Sequence, residues 1–246
     1  MKQTQILQEG EYQFPYHYIV EYEPIFAQSK SWTWGINYAA TLELIISKLK
    51  PKNFKSIVDI GTGDGRLVRE LSRKYPNKKI TGIEYSKRAA GLARALYPEG
   101  NFLCKDITKE KIGINADVVT LIEVIEHIPP DKLKKFIESV GELLKKRGKL
   151  FVTAPHNNMP VQRKHFQHFN SKKLKELFDR DYEIKDIRFL GKQGWEYQLI
   201  LKLLENKLFI LNEQNLLNKI YEYYKKNIFF CHERECSRIY LELMKK

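Results

Sequence analysis

The alternation of apolar and polar positions divides the chain into three stretches. Residues 1–30 are crowded with aromatic side chains (Tyr12, Phe14, Tyr16, Tyr18, Tyr22, Phe26) and carry Pro15 and Pro24, with no period of 2 or 3.6. They read as an arm packed on a domain. Trp32-Thr33-Trp34-Gly35 follows, then helical spacing from Asn37 to Leu49 that Pro51 stops. From Lys55 short strand-like runs alternate with helical ones. Strands are expected at Ser56–Ile60, Lys79–Glu84, Asn101–Cys104, Asp117–Leu121, Lys149–Thr153 and Glu183–Phe189. Helices are expected at Arg66–Lys74 and Lys87–Leu96, after Pro130-Asp131 with Leu133, Phe136, Ile137, Val140 and Leu143-Leu144 on one face, and at Ser171–Phe178 with Ser171 as cap. This rhythm predicts an α/β fold, a Rossmann-like, doubly wound and mostly parallel sheet.

The third stretch, 197–230, breaks the rhythm. Leu199, Ile200, Leu203, Leu204, Leu208, Phe209 and Leu211, continued by Leu216, Leu217, Ile220 and Tyr224, give it a long helical, apolar character. A last strand is expected at Cys236–Met244, making seven. The chain is therefore divided into 1–50, an arm and helix capping the site, and 51–246, the main domain with 197–230 as a helical insertion. The apolar surplus of that insertion suits packing on the domain or a homodimer face.

Composition adds bounds. A chain of 246 residues, 43% hydrophobic and 30% charged, buries a core that needs no staples. No apolar run reaches the roughly 18 residues of a membrane span, and MKQTQILQEG has no signal-peptide pattern. Three cysteines suggest no disulfide framework, and Cys231-His232 with Cys236 lacks the second pair that a zinc site would need. A cytoplasmic protein is the simplest expectation. The net charge of +13 suits nucleic acid or an anionic substrate, and equally suits lysines scattered over solvated helix faces.

Chemistry concentrates around Ser56–Gly65, SIVDIGTGDG: strand, glycine turn, then helix. In an open α/β sheet that turn lies at the crevice where ligands bind. Asp59 lies beside it. Glu84 ends the second strand, where a carboxylate reaches a ribose diol. Asp106 follows the third, where it can accept from an adenine amino group. The turn is not the G-x-G-x-x-G that seats a pyrophosphate, and Asp64 within it would repel phosphates. S-adenosylmethionine, with cationic sulfonium and amino groups, fits such carboxylates better.

VDIGTGDG, GIEYS, KDI, VVTLIEVIEHI and LLKKRGKLFVTAPH, in this order and spacing, resemble the class I S-adenosylmethionine-dependent methyltransferases over about Lys50 to Phe189. The resemblance implies that Asp59, Gly61 and Gly63 contact the methionine end, Glu84 the ribose, and Asp106 and Ile107 the adenine. Thr62, Tyr85 and Glu123 are counted with them as cofactor contacts.

Past the fourth strand, Glu123, Glu126 and His127 share a face if the chain coils there, at i, i+3 and i+4. Two carboxylates and an imidazole suit Mg²⁺ or Mn²⁺. The E-x-x-E-H stretch, with a histidine on the later loop, resembles the metal site of RNA 3′-terminal ribose 2′-O-methyltransferases and implies His165 as fourth ligand. His127 and His168 are the candidate bases, His168 also being read as a possible support for its neighbours. Tyr16, Trp34, His156, Asn157, Arg163 and Lys164 are the candidate acceptor contacts. FPYHYI and SWTWG loosely resemble bacterial methyltransferases of surface-polysaccharide precursors, including capsule O-methyl phosphoramidate pathways. The expected activity is metal-assisted O-methylation of a phosphorylated or nucleotide-linked metabolite, with an RNA end as the alternative acceptor.

Overall fold

The computed structural model describes residues 3–11, 32–205, 208, 209, 211 and 213–246, with backbone only at 11 and 32–34. Tyr16 and most of the aromatic arm lie outside the described residues, as does the side chain of Trp34.

The elements, in order, are α1 (Gln3–Glu11), α2 (Trp32–Lys48), β1 (Ser56–Ile60), α3 (Arg66–Lys74), β2 (Lys79–Glu84), α4 (Lys87–Leu96), β3 (Asn101–Cys104), β4 (Ala116–Ile122), α5 (Pro130–Glu142), β5 (Leu144–Pro155), α6 (Ser171–Phe178), β6 (Tyr182–Lys192), α7 (Trp195–Leu204), α8 (Gln214–Asn227), β7 (Phe230–Cys231) and β8 (Cys236–Lys245). The sheet runs β3-β2-β1-β4-β5-β8-β6-β7. The first five strands pair in parallel, and β8, β6 and β7 pair antiparallel.

The period-two pattern of the strands explains the layering. Ile57, Val118 and Phe151 point to one face and pack with α2, α3, α7 and α8. Their neighbours Val58, Val119, Leu150 and Val152 point to the other and pack with α5 and α6. Each fully buried side chain of this kind contributes about 1.5–3 kcal/mol. The chain leaves β1 for β2 on one side and reaches β4 on the other, so a crevice opens at the carboxyl ends of β1 and β4.

Three expectations need correction. The sheet has eight strands among the described residues, not seven, because Phe230–Cys231 forms a two-residue edge strand against Phe189 and Leu190. Two residues carry no readable alternation. The insertion is two helices, α7 and α8, and not one continuous stretch. It does pack on the domain through Ile200, Leu204, Leu217, Tyr221 and Tyr224. The cap of α6 is Asn170, whose side chain accepts from Lys173 N. Ser171 is turned instead toward Glu233, which accepts from its N–H and hydroxyl at 2.9 Å each.

Candidate active site

One wall of the site is the glycine turn after β1. Gly61, Gly63 and Gly65 all have positive φ (71°, 57° and 78°), where L side chains are strained. Gly61 is also closed in by packing: a Cβ there would sit 2.6 Å from Val124 Cγ2. The turn is fastened to β2 by Gly61 N, which donates to Ile83 O at 2.8 Å. Thr62 is buried in it.

Glu84 anchors the same turn from the end of β2. Its Oε2 accepts from Gly63 N at 3.1 Å and its Oε1 from Ser86 N at 3.0 Å. Burial pushes its carboxyl up to about 7, against the pull of those N–H groups. Asp59, also buried, accepts from Thr120 Oγ1 at 2.6 Å, and burial pushes it up to about 6. Asp106 accepts from Thr108 N and Thr108 Oγ1 and pairs with Lys109 at 2.8 Å, contacts that together outweigh its partial burial and hold it below the usual carboxylate range.

These residues line a cleft of about 1120 Å³, with Asp59, Gly61, Thr62, Gly63, Glu84, Tyr85, Asp106 and Ile107 on it. Thr4, Gln5 and Gln8 of α1 line it too. The opposite wall carries Glu123, Glu126 and His127 from the turn after β4, Lys164, His165 and His168 from the loop after β5, and Arg238 from β8.

The loop after β5 is stitched to that turn. Phe166 N donates to Glu126 O at 2.9 Å, and His127 Nδ1 lies 3.1 Å from Lys164 O. The result brings Glu126, His127 and His165 together, with one ligand atom of each within 4.8 Å of the others. Glu126 is fully buried, and neither carboxylate oxygen has a hydrogen-bond partner. Burial, and then the neighbouring Glu123, raises its pKa well above the ordinary value. Burial also holds the imidazoles neutral, His127 down to about 4 and His165 to about 2. A buried carboxylate with nothing to accept from is costly. A divalent cation would supply what it lacks, and neutral imidazoles beside a carboxylate are a donor set that Mn²⁺ accepts. The residues present therefore fit a metal ion.

Of the four expected metal ligands, Glu123 is the one placed outside this group. Glu123, with φ 55°, turns its Oε2 to Arg238 Nε at 2.9 Å. A non-glycine residue in that conformation marks a site held by its surroundings. Arg238 and Thr120 had no local sequence signal. Arg238 follows Glu123 by 115 positions, and only the β5–β8 pairing brings it to the cleft.

Among the candidate acceptor contacts, Lys164 lines the cleft, and His156, Asn157 and Arg163 do not. His156 is buried, with Nδ1 accepting from Asn158 N at 3.0 Å and Nε2 facing Glu233 at 3.4 Å. Asn157 is exposed and tied by its N–H to Phe169 O; Arg163 is exposed on the loop's outer side. His168 lines the cleft, yet both its ring nitrogens are engaged, Nδ1 with Met159 O at 3.0 Å and Nε2 with His165 Nδ1 at 2.8 Å. That engagement leaves it no nitrogen with which to act as a base.

A family model described as a methyltransferase domain matches residues 36–184, more than half of the chain. The chain belongs to that family. Residues 36–184 are its methyltransferase domain. A ubiquinone biosynthesis O-methyltransferase of Nitrosococcus oceani is 34% identical over 103 residues, 39% of this chain and 42% of that protein. An (S)-coclaurine N-methyltransferase of Thalictrum flavum subsp. glaucum is 28% identical over 118 residues, 46% of this chain and 32% of that protein. The match thus spans less than half the length of either curated relative. The N-methyltransferase NodS of Bradyrhizobium japonicum WM9, solved with S-adenosyl-L-homocysteine, shares the fold at a TM-score of 0.56 and 11% identity, over 85% of each chain. In this methyltransferase no helix among the described residues is long and apolar enough to cross a membrane.

Proposed function

We propose that this methyltransferase moves the methyl group to an oxygen of an anionic acceptor, a phosphorylated or nucleotide-linked metabolite, with Mn²⁺ or Mg²⁺ held by Glu126, His127 and His165. One observation carries the reading. The Glu126 carboxylate is fully buried without a hydrogen-bond partner, beside two imidazoles, in the cleft that also holds Gly61, Glu84 and Asp106. The cleft, at about 1120 Å³, exceeds the roughly 300–1,000 Å³ of an ordinary single-ligand pocket, leaving room for donor and acceptor together.

The residues divide the work. The Asp59–Gly63 turn takes the methionine end of the donor, Glu84 the ribose diol, and Asp106 and Ile107 the adenine. Tyr85, exposed at the rim, covers the base. When bound, the cation supplies Lewis-acid polarisation of the acceptor oxygen. Lys164 draws the acceptor's negative charge to that end of the cleft. Holding both substrates against one wall supplies the alignment that methyl transfer requires. A precursor of a surface polysaccharide belongs to this acceptor class. The name of the ubiquinone relative agrees with oxygen as acceptor atom; that of the coclaurine relative shows that nitrogen occurs in the same family.

The test is a methyl-transfer screen of nucleotide-linked and phosphorylated metabolites with chelator, then with Mn²⁺ or Mg²⁺ restored. Turnover lost on chelation and regained with metal is the expected result. Turnover indifferent to chelator overturns the metal role and leaves His127, with its Nε2 lone pair, as base.

A second acceptor, the 3′-terminal ribose of RNA, is favoured by Lys132 and Lys135. They stand one helical turn apart on α5, exposed and at the edge of the cleft. RNA binding would weaken steeply as salt rises, and a flat salt response would remove this reading.

A further inference from the structure

We propose that His168 is a positioning residue that fixes the tautomer of His165, so that His165 keeps its Nε2 lone pair available to a cation held beside Glu126. The inference rests on the metal reading above and assigns a role to a side chain outside the group that would hold the cation.

The direction of the hydrogen bonds follows from elementary chemistry. A carbonyl oxygen can only accept. His168 Nδ1 lies 3.0 Å from Met159 O, so Nδ1 carries the proton. The neutral ring then has a lone pair on Nε2. That atom lies 2.8 Å from His165 Nδ1, so His165 Nδ1 is the donor there. His165 Nε2 is left with a lone pair. His127 reaches the same state in one step, because Lys164 O accepts from its Nδ1 at 3.1 Å. The two rings meet nearly edge to face, with centroids 4.8 Å apart.

The relay is held rigidly. His168 is buried. Phe169 next to it is fully buried and tied through its N–H to Pro155 O at 3.0 Å. Partners that orient a ligating imidazole typically change metal affinity by 10–100-fold when removed.

The experiment measures Mn²⁺ affinity by electron paramagnetic resonance on the full chain, with nitrogen couplings counted by pulsed methods. His168→Phe keeps a ring of similar size and loses the acceptor. It is expected to weaken Mn²⁺ by about 10–100-fold and to reduce the imidazole couplings from two to one. His168→Gln, whose Oε1 can accept from His165 while its amide donates to Met159, is expected to restore most of the affinity and both couplings. Binding of S-adenosyl-L-homocysteine is expected to be unchanged, which certifies the fold. If His168→Phe fails that check, His168→Asn takes its place, since it can reach Met159 but not His165. Unchanged Mn²⁺ affinity with two imidazole couplings in the tested variant overturns the relay alone. No Mn²⁺ binding in the wild-type chain overturns the metal reading and the relay with it.

Discussion

The two walls of the cleft solve opposite problems. On the donor wall every buried carboxylate is answered from within the protein. Glu84 has a backbone N–H on each oxygen, and Asp59 has the Thr120 hydroxyl. The opposite wall leaves Glu126 unanswered and gathers two neutral imidazoles around it. The donor wall is complete before any ligand arrives, so a ligand adds bonds to an already settled frame. The wall with Glu126 carries a standing cost that a cation would remove. Preorganisation and stored demand thus sit side by side in one cleft.

The largest effect that would break this contrast is at Glu126. Glu126→Gln is expected to cut turnover by about 10²–10³-fold, the scale of losing a main electrostatic element, with donor affinity unchanged in calorimetric titration. Glu126→Met is expected to abolish turnover and yet raise the melting temperature of the metal-free chain. Removing an unsatisfied buried carboxylate relieves about 1–3 kcal/mol, and each kcal/mol is about 2–4 °C for a chain of this size. A lower melting temperature for Glu126→Met would mean that Glu126 is satisfied after all.

The donor wall should respond in binding rather than in chemistry. Glu84→Gln is expected to weaken S-adenosyl-L-homocysteine by about 10–100-fold, the worth of charge-assisted hydrogen bonds, with the metal affinity unchanged. Equal donor affinity in the variant would remove Glu84 from the ribose site.

The two walls were not equally legible in the sequence, for a physical reason. The donor wall is local. SIVDIGTGDG is a contiguous strand, turn and helix, and the ends of β1, α3, β2, α4 and β3 fall where the residue pattern puts them. The wall with Glu126 is assembled from three distant segments. The turn with Glu126 and His127 was legible because its spacing is helical, and His165 only through the resemblance of the E-x-x-E-H stretch and its later histidine to a known metal site. Arg238 was not, since only the antiparallel pairing of β8 with β5 delivers it. His156, Asn157 and Arg163 lie off the cleft for the converse reason. Polar residues on a loop near a site look alike in sequence, whichever way the loop turns them.

A smaller effect tests the claim that the donor wall is settled by its own hydrogen bonds. Burial raises Glu84 to about 7 and Asp59 to about 6, with like charge from Glu9 and Asp64 adding to it and the N–H groups of Gly63 and Ser86 and the Thr120 hydroxyl opposing it. Above the ordinary carboxylate range the unfolded chain has released protons that the folded chain still holds. Unfolding then releases protons, so stability falls as pH rises through about 5 to 7, by at most about 1.4 kcal/mol per pH unit for each group. Denaturant midpoints at pH 5 and pH 7.5 should show this fall in the ligand-free chain and a shallower one in Glu84→Gln. Identical slopes in the two proteins would mean that Glu84 is ionised throughout and carries none of the dependence.

The smallest effect asks whether the walls are mechanically joined. They touch where Gly61, φ 71°, faces Val124 in the turn that leads to Glu126. Gly61→Ala would put a Cβ 2.6 Å from Val124 Cγ2 and 3.2 Å from Cγ1. About 1–2 kcal/mol of destabilisation follows from the left-handed conformation alone, and the clash adds to it. Val124→Ala removes the clashing methyl groups and leaves the backbone term untouched. The double variant should therefore be more stable than the sum of the single changes allows, by about 0.5–2 kcal/mol. Gly61→Ala alone should also weaken Mn²⁺, because the displaced Val124 pulls on the turn that carries Glu126 and His127. Additive stabilities with unaltered Mn²⁺ affinity would show that the glycine turn and the wall with Glu126 share a cleft without sharing a mechanical contact.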